Sequence, residues 1–284
     1  MATFTNQASL SYGDRVTNSN TTTGQLLQVV TLSKRAVGGS YRRGGRAAYV
    51  ISIVNSGTGE ISGLTLSDDL GAYVLNGTTL YPLAYQADSI QYYSNGALQP
   101  VPTVTAGPPL SISGISVPAG GNVTLLYEAA VTAYAPAQAE STITNTVTLS
   151  GGCLTEALTA QASLSAASGA ELTLSKSLCP DTVTGCGEVN YTILLQNAGN
   201  VAVTAGDDAV IRDTFTPVLR DLQVTFNGTA WTQGTNYSYD GTTGAFATLA
   251  GQVTVPAATD TQDPDSGIWT TTPGVSVLKI TGSI

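Results

Sequence analysis

The chain of 284 residues has no histidine, three cysteines, one methionine and four phenylalanines, and only 10% of its residues are charged. Without histidine it lacks the commonest general base and the commonest metal ligand. The cysteines include no Cys-x-x-Cys pair and cannot build a zinc site without carboxylate help. Turnover of an outside substrate is therefore not expected, and neither is a cofactor or a metal. Ten Lys and Arg against 19 Asp and Glu leave a net charge of −9, which argues against a nucleic-acid partner because phosphate binding needs surplus cations. No apolar run is long enough to cross a membrane, so membrane insertion is not expected either. The opening Met-Ala-Thr-Phe-Thr-Asn shows neither a basic n-region nor an apolar h-region, so an export route is not legible.

What is plentiful is Gly, Thr and Val, which favour strands and turns over helices. The chain also repeats itself. Thr31-Leu32-Ser33-Lys34 recurs as Thr173-Leu174-Ser175-Lys176, and the offset of 142 holds to Tyr49-x-Ile51-x-Ile53-x-Asn55-x-Gly57, which recurs as Tyr191-x-Ile193-x-Leu195-x-Asn197-x-Gly199. That alternation is a half-buried strand closed by an Asn-x-Gly turn. Further on, Asp68-Asp69-Leu70 answers Asp213-Thr214-Phe215, and the Val-rich stretch after Gly121 answers the one after Gly274. The pattern predicts an all-β protein: two Ig-like sandwiches in tandem, over 31–150 and 173–284, joined by a linker at 151–172 and preceded by an arm at 1–30.

These motifs resemble the conserved repeat domain of bacterial and archaeal surface proteins known as domain-of-unknown-function family eleven. Its marks are a Lys on the first strand, Tyr-x-Ile-x-Val-x-Asn-x-Gly, Asp-x-Leu, a Pro-Gly turn before a Val-rich strand, and a closing Ile-Thr-Asn-x-Ala. The resemblance implies an extracellular structural or adhesive setting, at a cell or spore surface, and no catalysis on an outside substrate.

Domain 1 closes with Ile143-Thr144-Asn145-Thr146-Val147-Thr148-Leu149-Ser150, and domain 2 reaches Ile284 without a counterpart. The counterpart is at the start, Phe4-Thr5-Asn6-Gln7-Ala8-Ser9-Leu10-Ser11. Phe4, Asn6, Ala8 and Leu10 are therefore the expected inward side of a donor strand that fills domain 2 of another copy. Such contacts are heterologous and build an open head-to-tail homopolymer, a pilus-like filament. A donor folding back on its own domain 2 is the alternative topology, and a non-polymerising surface adhesin is the alternative function.

Two of the three lysines, Lys34 and Lys176, hold the same repeat position. With Asp68 and Asn145 in domain 1, and with Asp213 and a borrowed Asn6 in domain 2, they resemble the sets that form isopeptide bonds in Gram-positive pilins. The resemblance implies a Lys34–Asn145 bond within the chain and a Lys176–Asn6 bond between chains, each assisted by the Asp; an ordinary ion pair is the plainer reading. Cys179 and Cys186 flank a short loop and are expected to form a disulfide in an oxidising compartment, with Cys153 a lone buried thiol. Residues 31–150 carry five basic and six acidic side chains and 171–284 carry four and eleven. The cluster Lys34, Arg35, Arg42, Arg43 and Arg46 thus has an acidic neighbour to dock on. Asp260, Asp263 and Asp265 depart from calcium-loop spacing and read as a polar turn.

Overall fold

The computed structural model describes residues 2–284, which are almost entirely strands and turns. The arm contains β1 (Ala2–Asn6), β2 (Ser9–Tyr12), β3 (Arg15–Asn18) and β4 (Thr22–Leu26). Domain 1 begins with β5 (Val30–Val37), β6 (Ser40–Tyr41), β7 (Arg46–Asn55) and β8 (Ile61–Asp68). Short strands follow: β9 (Tyr73–Leu75), β10 (Thr78–Leu80), β11 (Leu83–Tyr85), β12 (Gln91–Ser94), β13 (Ala97–Gln99) and β14 (Thr103–Thr105). It ends with β15 (Leu110–Val117), β16 (Asn122–Val131), β17 (Thr142–Gly151) and β18 (Leu158–Ala166). Domain 2 has β19 (Leu172–Cys179), β20 (Glu188–Asn197), β21 (Arg212–Thr214), β22 (Arg220–Phe226) and β23 (Thr229–Trp231). It continues with β24 (Tyr237–Tyr239), β25 (Ala245–Thr248), β26 (Thr259–Gln262), β27 (Trp269–Thr272) and β28 (Gly274–Ser283).

Each domain is a sandwich around its own core. The repeated strand explains why. In β7 the alternate residues Tyr49, Ile51 and Ile53 are buried while their neighbours are partly exposed, which is the period of a strand with one face on a core. The Asn-x-Gly that follows is held in both copies by the Asn side chain. Asn55 Nδ2 donates to the carbonyls of Gly59, Val117 and Pro118 while its Oδ1 accepts from Gly57 N; Asn197 repeats this with Val201, Pro256 and Gly199. A buried side chain thus satisfies several backbone groups where the strand ends.

The first sheet matches between the domains: β5-β7-β16-β12-β13 in domain 1 and β19-β20-β28-β22-β23 in domain 2. The second sheets differ. Domain 1 has β14-β15-β8-β17-β18-β6, whereas domain 2 has only β24-β25-β21. Strand β21, which carries Asp213, corresponds to β8, which carries Asp68, so domain 2 lacks counterparts of β17, β18 and β6. The stretch 151–172, expected as a linker, therefore contains a structural strand: β18 pairs along β17 from Thr142↔Ser165 to Leu149↔Leu158. The connection between the domains is correspondingly short, Ala167 to Glu171.

The domains meet end to end through domain 1's Arg43 loop and the β26–β27 hairpin, which domain 1 replaces by a tight turn at Pro118–Gly121. Arg43 reaches the carbonyl of Trp269 (2.5 Å), Asp260 Oδ1 (3.1 Å) and the Thr271 hydroxyl. Gln262 Nε2 donates to Tyr73 Oη at 2.7 Å, and Asn200 Nδ2 donates to the carbonyls of Ala137 and Ala167. Gly267, at φ +73°, is pressed so close to Leu80 that a Cβ would collide with it at 2.3 Å. Four of the five residues of the basic cluster pair within the chain: Lys34 with Asp68, Arg42 with Glu171, Arg43 with Asp260 and Arg46 with Glu128.

Arg43→Ala is expected to weaken this interface by about 1.5–3 kcal/mol, the scale of a hydrogen-bonded charge, because the Asp260 carboxylate is nearly buried. Calorimetry should then show domain melting split into two transitions, with proteolysis appearing between 167 and 171. An unchanged melting profile would show that the loop merely touches domain 2.

Candidate functional site

Domain 1 brings Lys34, Asp68 and Asn145 together at the centre of its sandwich. The strand registers set this: Lys34 faces inward on β5, Asp68 ends β8 opposite Val147, and Asn145 is two residues earlier on β17. Lys34 Nζ donates to Asp68 Oδ2 at 2.7 Å, with side-chain exposures of 0% and 3%. Tyr127, on β16, donates to the same oxygen at 2.6 Å and accepts from Asn145 Nδ2 at 2.9 Å. Asp68 Oδ1 accepts from Leu70 N. Asn145 Oδ1 and the Tyr49 hydroxyl are buried without a hydrogen-bond partner. Lys34 Nζ lies 4.9 Å from the Tyr49 ring centroid, and that ring stacks on Tyr127 at 5.4 Å.

Burial pulls the Lys34 ammonium below its ordinary pKa, against the opposing pull of Asp68. Burial first, and the Asp68 charge second, push the Tyr127 hydroxyl well above its usual value. The site thus holds a lysine whose charge burial disfavours, beside a carboxamide and a carboxyl group.

The same positions in domain 2 form an open groove. Lys176 Nζ reaches Asp213 Oδ2 at 2.5 Å, but the lysine side chain is 38% exposed. It lies 4.5 Å from the Tyr191 ring and 5.1 Å from the Phe215 ring. All of β19 is exposed: Leu172 is 47% accessible, where its counterpart Val30 is 1%. The unpaired edge of β21 and the apolar strip of β19 face the space that β17 and β18 fill in domain 1.

The arm, expected as a donor strand, is a hairpin. Strand β1 pairs with β4 (Phe4↔Gly24, Asn6↔Thr22) and β2 with β3 (Ser9↔Asn18, Tyr12↔Arg15). In domain 1, Ile143 pairs with Leu164 and Asn145 with Ala162, so both pairs map onto the arm by subtracting 139 from the first strand and 140 from the second. The β1–β4 half of the arm therefore has the register of β17–β18, while the β2–β3 half is shifted by one residue, since Ser9 pairs with Asn18 where its counterpart Thr148 pairs with Thr159. The sequence signal missed was Gly13-Asp14 between two alternating runs, a two-residue hairpin turn in which Gly13 takes φ +54°. Phe4, Asn6, Ala8 and Leu10 are exposed, whereas Ile143, Asn145, Val147 and Leu149 are buried. Within one chain Asn6 is not brought to Lys176.

Tyr127 was also missed, since it reads as one more alternating residue of β16; its counterpart by strand register is Ile280. Cys179 and Cys186 are free thiols rather than a disulfide, and Cys153 is exposed, not buried. Asp263 caps a turn by accepting from the backbone of Asp265 and Ser266. Among the described residues no group of His, Cys, Asp or Glu is gathered to hold a metal, and no helix is long and apolar enough to cross a membrane.

No protein-family model matches the chain, so the resemblance to the repeat family finds no support there. No curated protein matches it. Among solved structures it is similar to the major pilin subunit of Bacillus cereus (10% identity, TM-score 0.35, covering 96% of this chain and 73% of that one). The pilus backbone protein RrgB of Streptococcus pneumoniae matches at 9% identity and TM-score 0.35, over 86% of this chain and 55% of its own. A collagen-binding domain from a Staphylococcus aureus adhesin matches at 9% identity and TM-score 0.30, over 49% of this chain and 99% of its own. At these scores the likenesses carry no functional argument.

Proposed function

We propose that the protein is the structural subunit of an extracellular filament in which the N-terminal hairpin of each copy completes domain 2 of the next. The observation that carries this is the match between part and gap: a free hairpin whose β1–β4 half has the register of β17–β18, and a domain lacking counterparts of those strands. Placed by that register, Ala8 lies opposite Asp213 of the acceptor, and Asn6 takes the place in domain 2 that Asn145 holds in domain 1. Backbone pairing supplies affinity, and the alternating pockets supply register.

Chain length argues against self-insertion. In domain 1 the open end of the β17–β18 hairpin sits at the Val37 end of β5, so the arm's open end belongs at the Cys179 end of β19. The arm rejoins its own chain at Val30, at the other end of the molecule. Strands β5 and β19 have eight residues each, about 26 Å apiece at 3.3 Å per residue, so laid end to end they separate the two points by about 50 Å. The steps from Leu26 to Val30 span at most about 15 Å. Only another copy's domain 2 is within reach, and a head-to-tail contact of this kind grows an open filament wherever its rotation does not close a ring.

The Lys–Asp–Asn sets then lock the polymer: Lys34–Asn145 within a subunit and Lys176–Asn6 between subunits. Electron microscopy with denaturing electrophoresis tests both layers. The full chain is expected to form filaments that persist as a ladder on boiling, and Asn6→Ala filaments should fall to one monomer band. Filaments that boil to monomer in the unmodified protein contradict the bond; a chain that stays monomeric contradicts the polymer.

A further inference from the structure

The contacts around Asp68 form one unbroken line. Lys34 Nζ meets Asp68 Oδ2, Tyr127 Oη meets the same oxygen, and Asn145 Nδ2 meets Tyr127 Oη, at 2.7, 2.6 and 2.9 Å. All four side chains are buried. The line connects the amine that must lose protons in amide formation to the nitrogen that must gain one. We infer that Tyr127 is a catalytic residue of Lys34–Asn145 ligation, its hydroxyl passing a proton to the departing Nδ2 while taking one from Asp68. The inference rests on the reading of Lys34 and Asn145 as a self-ligating pair.

The step balances. Lys34 gives one proton to Asp68, leaving a neutral amine and a carboxylic acid. The Nζ lone pair attacks Asn145 Cγ, and the carbonyl electrons move to Oδ1. Asp68 then protonates Tyr127 as Tyr127 protonates Nδ2, the Cγ–Nδ2 bond breaks, and ammonia leaves. The second Nζ proton returns to Asp68, which ends neutral beside a new secondary amide. No oxidant or further reactant is needed.

Three observations give the relay to Tyr127 rather than to Asp68 alone. Asn145 Nδ2 donates to the tyrosine and not to the carboxylate. Both Asp68 oxygens are already engaged, Oδ2 by Lys34 and Tyr127, Oδ1 by Leu70 N. The hydroxyl also keeps its proton at neutral pH, because burial and the Asp68 charge raise its pKa. Domain 2 has Ile280 at this position, so ligation at Lys176 lacks the relay and is the slower of the two. A subunit would weld its own domain 1 first and its neighbour later.

Intact-mass measurement over time after refolding decides it. The unmodified chain should lose the mass of one ammonia, and Lys34→Ala or Asn145→Ala should lose none. Tyr127→Phe keeps the stacked ring, and circular dichroism should show it folded. It is expected to ligate about 10²-fold more slowly or worse, the scale of general acid catalysis, and to lose the slowing in D₂O that the unmodified chain shows. Tyr85→Phe, whose ring lies 6.4 Å from Tyr127 outside the line, should match the unmodified chain. Ligation of folded Tyr127→Phe within about threefold of normal, a factor too small for a lost general acid, overturns the relay and leaves the bond standing. Should Tyr127→Phe not fold, the isotope effect on the unmodified chain decides, and its absence overturns the relay. No ammonia loss in the unmodified chain overturns the ligating pair itself.

Discussion

Removing residues 2–26 is expected to leave a folded two-domain monomer that forms no filament at any concentration. The deletion spares both cores, because Phe4, Leu10, Tyr12 and Val16 are all more than half exposed and belong to neither cluster. What it removes is the whole donor. Burying Phe4 and Leu10 in the neighbour's groove is worth about 1.5–3 kcal/mol each, and the pairing along β21 adds backbone hydrogen bonds. Their joint loss amounts to several orders of magnitude in association constant. Light scattering and electron microscopy measure the outcome, and filaments from the truncated chain would place the interface elsewhere. The truncated chain should still accept a hairpin from an intact copy, ending a filament rather than extending it.

In the Asn145→Ala background, where Lys34 stays unligated, Asp68→Ala is expected to destabilise domain 1 by about 3–5 kcal/mol, because it leaves the buried Lys34 without its counter-charge. The Tyr127 hydroxyl and the Leu70 amide lose their acceptor as well. Denaturant unfolding followed on domain 1 reads the change. The matching Asp213→Ala in unassembled domain 2 should cost no more than about 1 kcal/mol, since Lys176 is partly solvated and water replaces the lost partner. In the filament that difference should shrink, because the neighbour's hairpin covers Lys176. Equal costs in the free subunit would mean that burial does not distinguish the two sites.

Much of this was legible in the sequence because it repeats. The offset of 142 located both copies of the Lys strand and of the Tyr-x-Ile strand, and the structure places Lys34, Asp68 and Asn145 within one buried network. The octet Phe4–Ser11 was legible as a closing strand for the same reason. Its return strand was not, since Arg15–Leu26 shares no residue pattern with Leu158–Ala166 beyond strand alternation; a hairpin's second strand is fixed by the turn and by backbone pairing, which tolerate many sequences. Strand β18 is not legible on the same ground, its Ala160, Ala162 and Ala166 being too small to stand out as core. The role of Arg43 depends on a hairpin at 259–272 that has no counterpart in domain 1, and no internal comparison exposes an insertion's partner. Tyr127 needed three dimensions, because its hydroxyl bridges residues 59 and 18 positions away.

The most direct measurement is a cryo-electron microscopy reconstruction of the assembled filament, at a resolution that traces strands. The expected map shows density for residues 2–26 of one subunit inside domain 2 of the next, with β1 and β2 alongside β21, Ala8 opposite Asp213 and Asn6 beside Lys176. A groove along β19 left empty, or filled by a segment of its own chain, would contradict the proposed assembly.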